Sequence, residues 1–503
     1  MKSKLSRRDV LRGAAALPVM TFLPALSGCD DGEEVHVIFV HGVASGDPTP
    51  EAVIIWTRVS TTTGPVEVQW EVSSDGFENI AASGMITTDG DRDWTVKIDV
   101  TGLSPATRYQ YRFTALGETS RVGSARTAPA GPTERLRFAV ASCASYPHGY
   151  YHLYRAIAEE ELDAVLHLGD YIYEYGNGEY GDVRTVEPPT EIVTLADYRT
   201  RYAHYRLDPD LQAVHAAHAF ITVWDDHELT DNAWSGGALN HQMELEGDFD
   251  ARRVTAAQVY REWMPIRDSG IDGKIYRRLT YGGLVDLYML DTRLFGRDQQ
   301  YDEGGPPRDD AARQLLGAEQ EAWLATELPA STATWKLVGQ QVMMAQLPQF
   351  LNEDAWDGYP AARTRFFDLL EQHQVEDVVV LTGDIHSSWA WDLTRDPTDV
   401  NAYDPETGRG AIAVELVTPG ITSPGLPESL ADGALNLLAE NRHLEFADVA
   451  RRGFLLLDID HECIEGAWHH MDEAQIISPE PQSPTVRVRV EIRKGTPKVA
   501  RMP

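Results

Sequence analysis

The sequence predicts an α/β protein: a layered sheet domain flanked by helices, preceded by an antiparallel β-sandwich. Three observations carry this. Up to about residue 127, short runs alternate polar and apolar positions with Gly, Asp and Ser between them, which is the period of half-buried strands. From residue 136 the period changes, and apolar β-branched runs alternate with stretches of helical spacing. The later runs are apolar at nearly every position, as strands are when both faces of a sheet are covered.

In chain order, 52–56 (AVIIW), 66–72 (VEVQWEV) and 94–100 (WTVKIDV) are strands of the first part. Residues 103–113 (LSPATRYQYRF) resemble the strand and tyrosine corner of a fibronectin type III-like sandwich. Residues 127–132 (TAPAGP) read as a linker. Then 136–141 is a strand, 150–161 is helical, and 162–168, 219–224, 284–290, 335–339, 378–382 and 411–416 are further strands. Residues 485–493 alternate and add an edge strand. The chain thus divides into a leader over 1–29, a sandwich over 35–128, an α/β domain over 133–475 and a tail over 476–503.

Of 503 residues, 43% are hydrophobic, enough for large cores in more than one folding unit. Lys and Arg number 44 against 78 Asp and Glu, a net charge of −34. That excludes non-specific nucleic-acid binding, which needs basic patches, and suits multivalent cations. The leader begins with Lys2, Lys4, Arg7 and Arg8, followed by an apolar stretch over 13–26 broken by Pro18 and Pro24. This is short for a membrane span and reads as a signal peptide. Residues 6–11 (SRRDVL) resemble a twin-arginine export signal, and 26–29 (LSGC) a bacterial lipobox whose Cys29 carries lipid. The expected partners are therefore the twin-arginine export machinery and a membrane held through a lipid anchor on Cys29, at the periplasmic or cell surface. Cys143 and Cys463 remain, and nothing in the sequence supports a bridge between them.

Four strands run directly into ligand-type residues. Residues 136–141 lead into Ser142 and Cys143, 162–168 into 169–174 (GDYIYE), 219–224 into 225–228 (DDHE), and 378–382 into 383–386 (GDIH). Ligands bind beyond the carboxyl ends of strands in open α/β sheets, so these residues share one rim. One Asp or His after a strand is ordinarily a cap or turn residue; four such clusters point to a metal site. Carboxylate and phenolate oxygens suit hard cations, and imidazole suits borderline transition metals. Asp170 has two oxygens and can bridge ions. Tyr173 can supply a phenolate and Cys143 a thiolate, both suited to iron(III). Paired ions ~3.5–4 Å apart clamp the attacking and leaving oxygens of an in-line displacement at phosphorus and acidify a water. The carboxylates alone would repel a phosphate.

Together with 41–47 (HGVASGD), 55–58 (IWTR), 290–293 (LDTR) and 356–360 (WDGYP), these motifs resemble the alkaline phosphatase D (PhoD-like) family over about 35–471. That family lies within the calcineurin-like and purple-acid-phosphatase-like metallophosphoesterases. The resemblance implies a metallophosphoesterase sheet sandwich flanked by helices, and a phosphoric ester hydrolase acting on phosphate-ester substrates. It also implies Fe3+ with Ca2+ as cofactors, where other metallophosphoesterases use different divalent pairs. Carried over, Cys143, Asp170, Tyr173 and His386 hold iron, with Asp170 bridging, while Asp226 and Asp384 hold calcium. The chain departs from the purple-type pattern twice. Asp226-His227 stands where that pattern has Asn-His, and 383–386 stands where it has Gly-His-x-His. Both changes introduce a carboxylate, which favours calcium over zinc.

His227 is a candidate general acid for the leaving oxygen, or another metal ligand. Arg293 is a candidate bidentate phosphate ligand, or the ion-pair partner of Asp291. Asn232 is a metal ligand or a loop cap. Residues 356–359 wall the pocket or belong to an aromatic core; His167 is a core histidine. The implied reaction is hydrolysis of phosphomonoesters or phosphodiesters by a cation-activated hydroxide. A phospholipase D-like or teichoic-polymer phosphodiesterase is the nearer alternative, and a catalytically degenerate, lipid-anchored binding protein the more distant one.

Overall fold

The apolar runs become strands close to their expected bounds: Leu136–Ala141, Ala164–His167, Ala219–Thr222, Val285–Met289, Trp335–Gln340, Val378–Thr382 and Ala411–Val417. A computed structural model describes residues 38–61, 64–268, 273–301, 304–347 and 352–502. The leader motifs and Cys29 lie outside the described residues.

The strands form two large mixed sheets and one small one. The first, from edge to edge, runs Val499–Arg501, Thr485–Arg493, Cys463–Met471, Arg452–Ile459, Leu136–Ala141, Ala164–His167, Ala219–Thr222, Val43–Gly46, Ala52–Arg58, Thr95–Thr101. The second runs Arg277–Tyr281, Val285–Met289, Trp335–Gln340, Val378–Thr382, Ala411–Val417, Ser388–Thr394, Leu444–Asp448. Phe138, Val140, Leu166 and Leu457 of the first sheet share one buried core with Leu287, Leu337, Leu381 and Leu416 of the second. Fully burying each such side chain is worth about 1.5–3 kcal/mol, so the paired inner faces account for every second apolar position in these runs.

The outer faces are covered as well. Tyr202, Val214 and Val259, from helices Leu195–Tyr205, Pro209–Ala217 and Phe249–Trp263, join the core of the first sheet. Tyr288, Val338, Val380 and Trp391 pack with Leu324 and Phe366 of helices Gly317–Glu327 and Pro360–Gln372. The helix starts are written locally: Asp208 accepts from the amides of Asp210 and Leu211, with Pro209 in the first turn. Trp356 and Tyr359 are buried in this helical layer, so they are core and not a pocket wall. His167 is a core residue whose Nε2 lies 2.9 Å from the Tyr154 hydroxyl. Cys143 and Cys463 are both free.

The strand-rich N-terminal part has two layers. Val66–Ser73, Ala82–Thr88, Arg108–Ala115, Glu118–Thr119 and Gly123–Arg126 form the small sheet. Its Val68, Tyr111 and Phe113 pack on Val53, Ile55 and Val96. The corner residue behaves as its sequence suggests, with the Tyr109 hydroxyl accepting from the Ser104 amide at 2.9 Å. The second layer is not self-contained. Val43–Gly46 pairs in parallel with Ala219–Thr222, with Ser45 opposite Ala219, so this layer continues the first large sheet. Alternation reports which face is buried; it does not report which strand is the neighbour. Similarly, Thr485–Arg493 is paired on both sides, and Val499–Arg501 is the edge. Among the described residues no helix is long and apolar enough to cross a membrane.

At one rim the sheets converge. Leu136–Ala141, Ala164–His167 and Ala219–Thr222 are mutually parallel, as are the four central strands of the second sheet. A parallel bridge joins Ser142 to Gly420, and the Thr418 hydroxyl donates to the Val140 carbonyl at 2.9 Å. A Cβ on Gly383 would lie 2.9 Å from the Ser142 side chain, so glycine lets these two strand ends meet.

Candidate metal centre

The loops beyond these strand ends gather three overlapping groups of ligand atoms: Cys143, Asp170 and His386; Asp170, Asp226 and His227; Asp225, Asp226 and Asp384. Within each group the atoms lie within 4.8 Å of one another. Asp170 belongs to the first two and Asp226 to the last two, so the groups form a chain of adjacent sites. Tyr173 joins at the first. Its hydroxyl donates to Asp170 Oδ2 at 2.8 Å and lies 3.2 Å from His386 Nε2 and 2.7 Å from Ser423 Oγ. His386 is oriented from behind, with Nδ1 3.2 Å from the Pro424 carbonyl.

The backbone at these positions is unusual. Cys143, Asp170, Asn232, Asp384 and His386 have φ of 56°, 56°, 53°, 61° and 55°. Left-handed conformations cost non-glycine residues ~1–3 kcal/mol each where the surroundings must enforce them, and they concentrate at functional sites. The loops enforce them on one another. The Cys143 amide donates to the Gly169 carbonyl at 3.1 Å and the Ala144 amide to the Asp170 carbonyl at 2.8 Å.

Arg293 is not the ion-pair partner of Asp291. Its side chain is fully buried and does not pair with the Asp291 carboxylate, which instead accepts from the Arg293 and Leu294 amides. Its guanidinium sits among four other carboxylates: Asp384 at 2.8 Å, Asp354 at 2.5 Å, Asp226 at 3.5 Å, and Asp225. It is a buried counter-charge that offsets part of the negative charge of the third group. Asn232 contributes its backbone: its amide donates to Asp226 Oδ2 at 2.6 Å, which is a cap on that carboxylate.

His227 is held by Glu174, with Nδ1 2.7 Å from Oε2. Glu174 Oε1 accepts from the Asp231 amide at 2.8 Å and Asn240 Nδ2 at 3.2 Å. Nε2 is therefore the ring nitrogen left for chemistry. Tyr173 stacks on the ring at 4.2 Å. Burial opposes the charged imidazole, yet Glu174, Asp226 and Asp170 together hold its pKa well above the usual 6.5. Burial likewise opposes the Glu174 carboxylate, and His227 still brings it below 4.5.

The pair makes stability depend on pH. The His227 contribution is complete below 6.5 and fades as pH rises through the raised value. The Glu174 contribution is complete above 4.5 and fades as pH falls through the lowered value. Glu174→Gln leaves a buried imidazolium without its partner, which costs about 3–5 kcal/mol. In melts of the metal-free protein the deficit should be largest between these two values and shrink at high pH. A deficit independent of pH would rule out the charged pair.

These residues fit a cation. Asp170 Oδ1, Asp225 Oδ2 and Asp226 Oδ1 are buried and lack a hydrogen-bond partner among the described residues, a costly state for carboxylate oxygens. Burial pushes Asp170 well up, with Asp226, Glu228 and Asp384 adding to the shift against His227. Burial also pushes up the Cys143 thiol and Tyr173 phenol, reinforced by Asp170. Multivalent positive charge would satisfy all three oxygens at once.

A family model described as PhoD-like phosphatase matches residues 138–468, and one for the PhoD-like phosphatase N-terminal domain matches 26–129. The chain belongs to the PhoD-like phosphatase family. This PhoD-like phosphatase is 39% identical over 437 residues to alkaline phosphatase D of Bacillus subtilis (strain 168), covering 81% of this chain and 73% of that one. It is 24% identical over 426 residues to an uncharacterized protein of Mycobacterium tuberculosis, with the same coverage. A solved structure of PhoD superposes with TM-score 0.85 at 35% identity, covering 94% and 93% of the two chains. A purple acid phosphatase from yellow lupin (Lupinus luteus) seeds shares the fold, with TM-score 0.59 at 13% identity over 90% and 74%. The PhoD-like phosphatase is thus a phosphoric ester hydrolase with clusters that fit metal binding.

Two residues beside the site escaped sequence reading. Asp354 comes from a loop with no strand just before it, and Ser423 lies beyond the 411–417 strand with no ligand-type residue to mark it. Asp225, Glu174 and Glu228 stood in the quoted motifs without a role.

Proposed function

We propose that this chain is an exported, metal-dependent phosphoesterase that hydrolyses phosphomonoesters, phosphodiesters or both. The observation that carries the reading is the sharing of Asp170 and Asp226 between neighbouring ligand groups, with Asp170 Oδ1, Asp225 Oδ2 and Asp226 Oδ1 buried and without a hydrogen-bond partner among the described residues. Cys143, Asp170, Tyr173 and His386 would hold Fe3+, and Asp226 and Asp384 would hold Ca2+, with Asp170 shared. Bound there, the ions would supply positive charge to receive the phosphate and acidify a water for in-line attack. His227, fixed by Glu174, presents Nε2 to donate a proton to the leaving oxygen. Arg293 holds the carboxylates of Asp225, Asp226 and Asp384 together. Export is supported by Arg7, Arg8 and the 26–29 motif, with Cys29 as the lipid anchor.

The test is elemental analysis of mature protein recovered from the cell envelope, with a monoester and diester activity panel before and after chelation. Iron and calcium in the protein, and activity lost on chelation and restored by readdition, are expected. Binding must displace protons from Cys143, Tyr173 and Asp170, so affinity should rise with pH. Full activity in metal-free protein, or protein confined to the cytoplasm, would refute the corresponding part.

A further inference from the structure

We infer that Glu228 is a positioning residue for the metal centre: its carboxylate ties the Asp170 loop to the Asp225 loop and so sets the spacing of their ligand oxygens. The inference rests on the metal-dependent reading above.

Glu228 is 3% exposed. Its Oε2 accepts from the Asp170 amide at 2.9 Å and from the Asp225 amide at 2.8 Å, and Oε1 accepts from the Tyr171 amide at 2.6 Å. These amides lie just beyond Ala164–His167 and Ala219–Thr222, where the parallel ladder between the two strands has ended. Buried amides there must find acceptors outside the sheet. One side chain serves three of them, on two loops. The described hydrogen bonds and ion pairs give Glu228 no lysine or arginine; its charge is answered by amide dipoles, a strong charge-assisted arrangement.

The contact also has little slack. Gly169 has φ 103°, and a Cβ there would sit 2.4 Å from Asp225 Cβ and 2.5 Å from its amide nitrogen, so the loops already touch backbone to backbone. Asp170 is left-handed, and the two hydrogen bonds flanking its peptide oppose a return to ordinary geometry. Through the Asp170 carbonyl the tie extends to Ala144, beside Cys143. Glu228 is absent from all three ligand groups. It acts on the ions through the backbone that carries Asp170, Asp225 and Asp226.

Glu228→Gln tests this. The amide keeps the shape and one acceptor but turns an N–H toward an N–H on the other side. At limiting metal, kcat on an aryl phosphate should fall about 10–100-fold, with metal affinity weakened by a similar factor, the usual effect of losing a residue behind the ligands. KM should stay within about twofold, and saturating metal should restore most of kcat. Leu457→Ala, a buried position in the inter-sheet core, serves as a control for destabilisation and should keep wild-type metal affinity at a matched loss of melting temperature. Wild-type metal affinity in Glu228→Gln would overturn the inference, as would a kcat deficit that saturating metal leaves untouched. If the wild-type protein itself bound no metal and hydrolysed no phosphate ester, the underlying reading would fall and this inference with it.

Discussion

Asp170→Asn is expected to lose activity toward an aryl phosphate by at least about a thousandfold, well beyond the ~10–100-fold of a residue behind the ligands, with at least one equivalent of metal lost. Asp170 is shared by two ligand groups, and its Oδ1 is buried without a hydrogen-bond partner among the described residues. Asparagine matches its volume and tolerates the left-handed backbone, so the fold should persist. What changes is charge: a carboxylate that can accept two cations becomes a neutral amide that presents N–H groups to one of them. Burial and the carboxylates of Asp226, Glu228 and Asp384 already make an anion at 170 costly in the metal-free protein. The metal-free variant should therefore melt at the same temperature as wild type or higher. Activity lost with stability kept or gained separates a ligand from a structural aspartate. Activity within tenfold of wild type would sink the shared-ligand assignment.

Arg293→Met should have the largest effect on stability. Its guanidinium is fully buried and pairs with carboxylates from three separate loops. Removing one member of a buried ionic network commonly costs about 3–5 kcal/mol, because the remaining charges are left uncompensated. The pH dependence identifies the cause. Burial raises the Asp354 carboxyl, but Arg293 and Arg297 outweigh it and hold the group below 3.8. Its contribution is present above that value and is lost as pH falls through the lowered one. The gap between wild type and Arg293→Met should accordingly be widest near neutrality and narrow in acid. Divalent cations should raise the variant's melting midpoint more than that of wild type, since they can neutralise Asp225, Asp226 and Asp384 in place of the guanidinium. A gap of less than about 1 kcal/mol, or one that ignores pH, would show that Arg293 is not the counter-charge.

How far the sequence could be read depended on whether a feature is local. Cys143, Asp170, Asp226 and Asp384 each follow an apolar strand within a few residues, so strand period alone located the rim. Asp354 has no such marker, and its link to Arg293 spans loops that only the folded chain brings together. For Arg293 both sequence options assumed a simple partner, phosphate or Asp291; the crowd of four carboxylates is a property of packing. The Glu174–His227 and Glu228–amide contacts involve residues visible in the motifs, but the choice of partner depends on distances between strands. The N-terminal region shows the same limit. Its strands and tyrosine corner were legible, whereas the pairing of Ser45 with Ala219 is decided far along the chain.

That pairing bears on how the protein can be divided. Although the two family models meet between residues 129 and 138, a chain shortened to begin after this junction would leave Ala219–Thr222 with one side bare. Its free amides and carbonyls would offer a template for strand addition from another molecule, the usual route to aggregation. The N-terminal strands therefore work as a hem on the sheet that carries the metal loops, and the two parts are bound to be kept or lost together.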